Sequence, residues 1–265
     1  MEIHRRRHYQ YLVPNNGHFV SPWAIRTGVA VENGVAYFAA GIFPHEGVYL
    51  CAVDAATGVR ATTNHWQTLH VNQGSFQGYL LLSPTRVFAP GARSNPFYFN
   101  RQTGALIGQY NDDKALGTFV TLSKDSLFWG PSAREGAQIT EGDLKGVNLN
   151  TFSGANALVA TTNRLFYVTD TELRSLDRAS RALKWKRSET YTHALVLAGA
   201  TLYAGKDNEV AAFDSATGNK LWSASVQGRA LGLAVAGGKL YVSTDLGYLY
   251  AFAPAQAAQS ALIVF

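Results

Sequence analysis

The residues of this chain that could do chemistry gather in short polar segments between apolar runs. They are Phe43-Pro44-His45-Glu46, Arg93-Ser94-Asn95, Ser132-Ala133-Arg134-Glu135, Thr169-Asp170, Lys206-Asp207-Asn208-Glu209 and Thr244-Asp245. His45 and Glu46 are the acid–base pair of the set, although neighbours on a loop are expected to point apart. Arg93, Arg134 and Lys206 supply cations, Asn95 and Asn208 amides, and Asp170 and Asp245 carboxylates. Such a mixture suits an anionic or polyhydroxylated ligand. Polar tips are equally what any loop needs in water.

Other chemistries find less support. No HExxH and no helical pair of histidines occurs, and His65 and His70 would need two further ligands to hold zinc, so no metal site is assigned. Cys51 is the only cysteine and lies in the apolar run Val48–Val53, where it reads as a small buried hydrophobe. It forms no internal disulfide and no thiolate cluster. Gly237-Gly238-Lys239 is a hairpin turn and not a phosphate loop, because no helix follows to aim a dipole at phosphate. His193 stands before an apolar strand and reads as a core or edge histidine.

Something must position those polar segments, and the apolar runs between them share a period. Tyr37, Phe88, Phe128, Phe166, Tyr203 and Tyr241 recur about every 38 residues, with one longer first interval. Each follows an apolar strand and a tight turn rich in Asn, Asp, Gly or Pro, as in Glu32-Asn33-Gly34 and Ser83-Pro84-Thr85. After each aromatic a third strand, a polar turn and a fourth strand are expected. Asp54–Gly58, Asn100–Gly104 and Asp214–Gly218 mark that turn, and Asp177–Arg181 is a version lacking glycine. In the third copy the turn is either Glu141–Gly146, leaving Val147–Phe152 as fourth strand, or Asn150–Gly154, leaving none. Trp185 and Trp222 close their fourth strands, Tyr110 is displaced, and Trp66 lies further off.

Four antiparallel strands in roughly 37–40 residues is a propeller blade. The fold class is therefore all-β, a β-propeller of six four-stranded blades, with a part of a seven- or eight-bladed ring as the alternative. Residues 1–24 form an N-terminal segment, 25–253 the propeller, and 254–265 a C-terminal tail or strand. The last blade lacks a fourth strand after Phe252. His8–Val13 is the preferred strand to close the ring, and Ala261–Phe265 the other candidate. Gln67–Gln77 reads as a polar insertion on one rim. In this architecture the six polar segments are the loops between second and third strands, and they converge on one face.

Composition narrows the partners. The chain of 265 residues is 47% hydrophobic with mean hydropathy near zero, and contains no transmembrane segment. Its formal charge is +5, but three of the 23 Lys and Arg residues are Arg5–Arg7. The remainder has no basic run, so nucleic acid is not an expected partner. No apolar stretch follows Arg5–Arg7, so no signal peptide is read.

Ala212-Phe213-Asp214-Ser215-Ala216-Thr217-Gly218, followed by Trp222, resembles the PQQ-like propeller repeat of bacterial quinoprotein dehydrogenases and of the outer-membrane assembly lipoprotein with a similar fold. The resemblance extends over most of residues 25–253. It implies the propeller and favours a periplasmic or extracytoplasmic location. PQQ and calcium enter through the resemblance alone. The dehydrogenases hold quinone between a Trp and a ring of two adjacent half-cystines, which a chain with one cysteine does not match, so no cofactor is expected. The function read from all this is a ligand-binding or protein-interaction scaffold without quinone, with a protein or carbohydrate on the second-to-third-strand loop face. A carbohydrate lyase or hydrolase using His45, Glu46, Arg93 and Arg134 is one rival. A degenerate quinoprotein oxidoreductase is the other.

Overall fold

The computed structural model describes residues 12–60, 62, 64–70, 74–91, 94–111, 119–131, 137–253 and 262–263. They form an all-β protein whose one helical element is a single 3₁₀ turn, Pro44–Glu46. Two compact units divide the chain: residues 1–136 with 140–151, and residues 137–139 with 152–265.

The first unit opens with a hairpin, β1 (Val13–Asn15) on β2 (His18–Val20). Two four-stranded antiparallel sheets follow. One is β3 (Ala30–Glu32), β4 (Val35–Ala40), β5 (Val48–Asp54) and β6 (Trp66–His70), in that order. The other is β7 (Leu81–Leu82), β8 (Arg86–Ala89), β9 (Phe97–Asn100) and β10 (Leu106–Gln109). Their inner faces make one apolar core from Tyr37, Leu50, Trp66, Phe76, Val87 and Phe99. Each such side chain, fully buried, contributes about 1.5–3 kcal/mol. Cys51 is buried on the opposite face of β5, where desolvation pushes its thiol up to about 12.

The next sheet orders β11 (Val120–Ser123), β12 (Ser126–Trp129), β13 (Gln138–Asp143) and β14 (Asn148–Ser153). This decides the open reading of the third copy. Asp143 accepts from the Lys145 and Val147 amides at 2.8 and 2.9 Å, which pins the turn there and frees β14 to be the fourth strand.

In the second unit, β15 (Ala157–Ala160), β16 (Arg164–Val168), β17 (Leu173–Asp177) and β18 (Leu183–Arg187) form another four-stranded sheet. The final sheet has six strands: β19 (Ala194–Ala198), β20 (Thr201–Asp214), β21 (Lys220–Ala236), β22 (Lys239–Thr244), β23 (Leu249–Phe252) and β24 (Leu262–Ile263). The two repeats keep separate ladders, β19 and β20 with the first part of β21, and the later part of β21 with β22, β23 and β24. The join is the pairing of Asp207 with Arg229, which carries β20 and β21 through the connection between the repeats. The ends of β20 meet again, Ser215 N donating to Ala200 O at 2.9 Å, so the strand doubles back near Asn208, whose φ is 59°. The strand that pairs with β23 comes from the C-terminal segment, with Tyr250 opposite Leu262. Of His8–Val13, only Leu12 and Val13 lie within the described residues, and Val13 pairs with Val20.

The supposed insertion after Trp66 is also partly strand. Gln67–His70 continue β6, with His70 opposite Val48. Alternation turns Trp66, Thr68 and His70 to the same side, and the His70 ring lies 4.9 Å from that of Phe99. Phe76 is core. Residues 71–73 lie outside the described residues.

The turns before the fourth strands repeat one device. Asp54 Oδ1 accepts from Thr57 N at 2.8 Å and Thr57 Oγ1 at 2.7 Å, and Asp214 does the same from Thr217 at 2.7 and 2.8 Å. Asp177 accepts from Ser180 N and Oγ at 3.0 and 2.9 Å. Where the fourth copy lacks glycine, Arg181 takes its place with φ 63° and its guanidinium lies 6.0 Å from the Phe152 ring centre. The Thr57 and Thr217 hydroxyls hold Asp54 and Asp214 below the usual carboxylate range, and the Ser180 amide does so for Asp177. A carboxylate with a depressed folded-state pKa stabilises the fold above its unfolded value, about 3.9. That stabilisation is lost as pH falls through the lower folded value. The urea midpoint is therefore expected to hold steady from neutral pH down to about pH 5 and to drop below about pH 4. Asp214→Asn should shallow that acid slope while lowering the midpoint at neutral pH. An unchanged slope would show that the turn carboxylates do not carry it.

Candidate functional site

The polar segments fall in both units. In the first unit, the 3₁₀ turn between β4 and β5 brings His45 Nε2 to 3.8 Å from Glu46 Oε1, so the two side chains converge where divergence was expected. The tight turn supplies the reason: it curls the backbone within three residues and leaves the His45 ring 5.7 Å from that of Phe43. Both side chains are exposed. Asn95, between β8 and β9, is only 8% exposed; its carbonyl accepts from Gln109 Nε2 at 3.2 Å, and its Oδ1 has no hydrogen bond among the described residues. Arg93 and Arg134 lie outside the described residues.

In the second unit, Asp170 accepts a 2.8 Å bond from Asn156 Nδ2 between β16 and β17. Lys206, Asn208 and Asp245 are drawn into a wider cluster. Lys206 Nζ is 3.1 Å from Glu209 Oε2, and Glu209 also accepts from the Tyr191 hydroxyl. Tyr191 is buried, with the Lys206 ammonium 4.7 Å and the Lys220 ammonium 5.2 Å from its ring centre. Lys220 in turn pairs with Glu189 at 3.1 Å. The Tyr191 hydroxyl, with Lys206 adding to it, keeps Glu209 below the usual carboxylate range against the opposing effect of desolvation. Burial, then the Glu209 carboxylate, pushes the Tyr191 phenol above its ordinary value.

A second knot adjoins the first along the chain. Asn208 Oδ1 accepts from Gly228 N at 3.0 Å, and Asp245 Oδ1 accepts from Arg229 N at 2.6 Å. Asp245 Oδ2 also takes Arg229 Nε at 2.9 Å. The Arg229 amide, followed by its guanidinium, depresses the Asp245 pKa. His193 Nε2 lies 2.6 Å from Asp207 Oδ1, which makes His193 an edge residue held by a loop carboxylate.

Tyr191, His193, Gly228 and Arg229 were not among the sequence candidates. Within an antiparallel sheet, loops between second and third strands and the connections between successive repeats lie at the same end. The signal was therefore topological: whatever follows each fourth strand belongs beside the loops already singled out. Among the described residues no group of three or more His, Cys, Asp or Glu side chains is arranged to hold a metal ion. What the arrangement can do is present a surface of opposite charges at set positions, with a buried aromatic beneath it.

Replacing Tyr191 by phenylalanine tests how firmly that surface is anchored. The ring and its cationic neighbours stay, while Glu209 loses a hydroxyl donor. A hydrogen bond to a charged group is worth about 1.5–3 kcal/mol, and a loss in that range is the expected change in unfolding free energy by urea denaturation. A loss below about 0.5 kcal/mol would mean that Lys206 alone satisfies Glu209.

The family model described as outer membrane protein assembly factor BamB matches residues 117–228 and 206–260, a span that includes this whole cluster. The chain belongs to that family of PQQ-like propellers. No curated protein matches the sequence. Among solved structures, BamB from Moraxella catarrhalis is 18% identical with a TM-score of 0.65, over 90% of this chain and 75% of that one. The computationally designed Ika8 protein is 15% identical with a TM-score of 0.65, over 87% of this chain and 71% of its own. At these identities the likeness is one of fold: an all-β propeller built from PQQ-like repeats. No helix among the described residues is long and apolar enough to cross a membrane.

Proposed function

We propose that this PQQ-like propeller is a protein-interaction scaffold that works without quinone, and that its partner docks on the loop end of the last two repeats. One observation carries the reading: the loop charges there are already held by internal partners. Lys206 is set by Glu209, Asp245 by Arg229, and Asn208 by the Gly228 amide. Charges set in advance lose little conformational freedom when a protein partner arrives, which is how an interface gains specificity and association rate. The family's description as an outer membrane protein assembly factor supports the same reading, with assembly partners at or near a membrane as the class to look for.

The test is capture of a defined partner by photo-crosslinking. A photoreactive side chain at Asn208 or Leu246 should trap one discrete protein, and the same group at Gln102, on a third-to-fourth-strand turn, should not. Asp245→Ala, which frees Arg229, should weaken that capture at least about tenfold, a change of roughly 1.4 kcal/mol. Equal trapping from Gln102 would place the partner elsewhere. Trapping from no position would remove the scaffold reading.

A further inference from the structure

The turn before the fourth strand is built the same way in repeats that carry different residues on it. Asn100 Oδ1 accepts from Gln102 N and Thr103 N at 2.9 and 3.0 Å, and Asp214 Oδ1 accepts from Thr217 N at 2.7 Å. Arg101 N donates to Thr85 O and Ser215 N to Ala200 O, each at 2.9 Å. An indole caps both turns: Trp66 Nε1 donates to Arg101 O at 3.0 Å, and Trp185 Nε1 to Ser215 O at 3.1 Å. Ser215-Ala216 therefore satisfies the backbone as well as Arg101-Gln102 does. The turn itself does not require the guanidinium and the amide of the first-unit copy.

Those two side chains line a cavity of about 560 Å³, in the range that holds a small ligand. Among the described residues Glu32 and Asn33 of the β3–β4 turn, Asn64 before β6, and Tyr37 line it as well. Arg101 is fixed by three bonds: Nε to the Tyr37 hydroxyl at 3.2 Å, Nη1 to Ser83 O at 2.9 Å, and Nη2 to Glu32. Its side chain is 13% exposed and that of Glu32 47%, so the two charges cancel while Glu32 keeps acceptor positions open to a ligand. The side-chain amides of Asn33 and Gln102 make no hydrogen bond among the described residues. Asn64 Oδ1 accepts from Thr62 Oγ1 at 3.3 Å, which leaves its N–H donors.

These groups select a ligand class. An amide pairs a donor with an acceptor, as a sugar hydroxyl does, and a neutralised ion pair gives no net charge to draw an anion or a cation. Tyr37 is 3% exposed with the Arg101 guanidinium 5.3 Å from its ring centre, so no broad apolar wall meets a hydrophobic ligand. We propose that this cavity binds a neutral mono- or disaccharide through Glu32, Asn33, Asn64 and Gln102, with Arg101 holding Glu32 in place beforehand. The site belongs to the first unit and is separate from the protein-docking surface assigned to the last two repeats.

Titration of glucose, maltose, cellobiose, lactose and N,N′-diacetylchitobiose into the full chain, followed by ligand-observed NMR, tests this. At least one should bind with a Kd of about 1 mM or below. Gln102→Ala and Asn33→Gly should each weaken that binding at least about tenfold while leaving the urea midpoint nearly unchanged. Ala216 already occupies the matching turn position, and glycine suits the φ of 52° at Asn33. Glucuronate should bind no better than glucose. Binding by no member of the panel overturns the proposal, as does binding that both variants leave intact, or a preference for glucuronate. Should Asn33→Gly shift the midpoint, the exposed Gln102→Ala decides.

Discussion

Replacing Trp185 by alanine is expected to lower the unfolding free energy by about 3–5 kcal/mol. Trp185 is 7% exposed and packs on Phe166 in a core with Leu202, Ala211 and Phe213. Truncation empties that volume, uncovers Gly218 and leaves the Ser215 carbonyl without its indole donor. Trp185→Phe separates the contributions, because it keeps most of the apolar ring and loses the N–H. Its cost should be nearer to 1–2 kcal/mol, the worth of one hydrogen bond plus a small repacking. Chemical denaturation of both variants reads this directly. If the two cost the same, the hydrogen bond and not the packing would be the dominant interaction.

Gly104→Ala should be strongly damaging for a single added methyl, at about 2–5 kcal/mol. Two penalties coincide there. The residue has φ 70°, where an L side chain costs about 1–2 kcal/mol, and the new Cβ would press to 2.4 Å from the Trp66 ring, an overpacking worth about 1–3 kcal/mol. Gly34 is the internal control, with φ 75° and nothing within 4 Å of where an added methyl would stand, so Gly34→Ala should show the conformational part alone. The steric part should vanish when Trp66 is also truncated, which a double-mutant cycle would report as strong non-additivity. Equal costs at Gly104 and Gly34 would show that the indole moves aside freely.

These two residues also show how far the residue pattern reaches. The turn Asn100–Gly104 and the position of Trp185 after Arg181 are legible as letters, because turn chemistry is local: an Asx side chain caps its own backbone and glycine tolerates positive φ. The same local rule placed Asn33 and Gly34 at a hairpin, with φ 52° and 75°. It left the third copy undecided, since Asp143 and Gly154 both satisfy it, and only strand pairing selects Asp143. It misread Gln67–His70, because a polar strand with one face turned inward looks like a loop until its partner β5 is known. Arg181 shows the limit from the other side: it takes the glycine's positive φ, and its guanidinium meets a ring from an earlier strand, a contact the turn residues alone do not announce.

The candidate site divides the same way. Lys206, Asn208 and Asp245 stand out because they are polar residues between apolar strands, which is a property of the sequence. Lys206 and Glu209 are three residues apart, but the bonds from Asn208 to Gly228 and from Asp245 to Arg229 depend on which strand ends meet, and that is set by sheet pairing over long stretches of chain. By itself the sequence determined the period, the turns, the aromatic positions and hence the propeller repeat, since each rests on interactions spanning a few residues. Tertiary structure decided that Asp143 and not Asn150 marks the third turn, that Gln67–His70 continue a strand, and that Tyr191 and Arg229 join the loop cluster. Those outcomes depend on which residues distant in sequence meet across paired strands, a choice that local backbone preference does not encode.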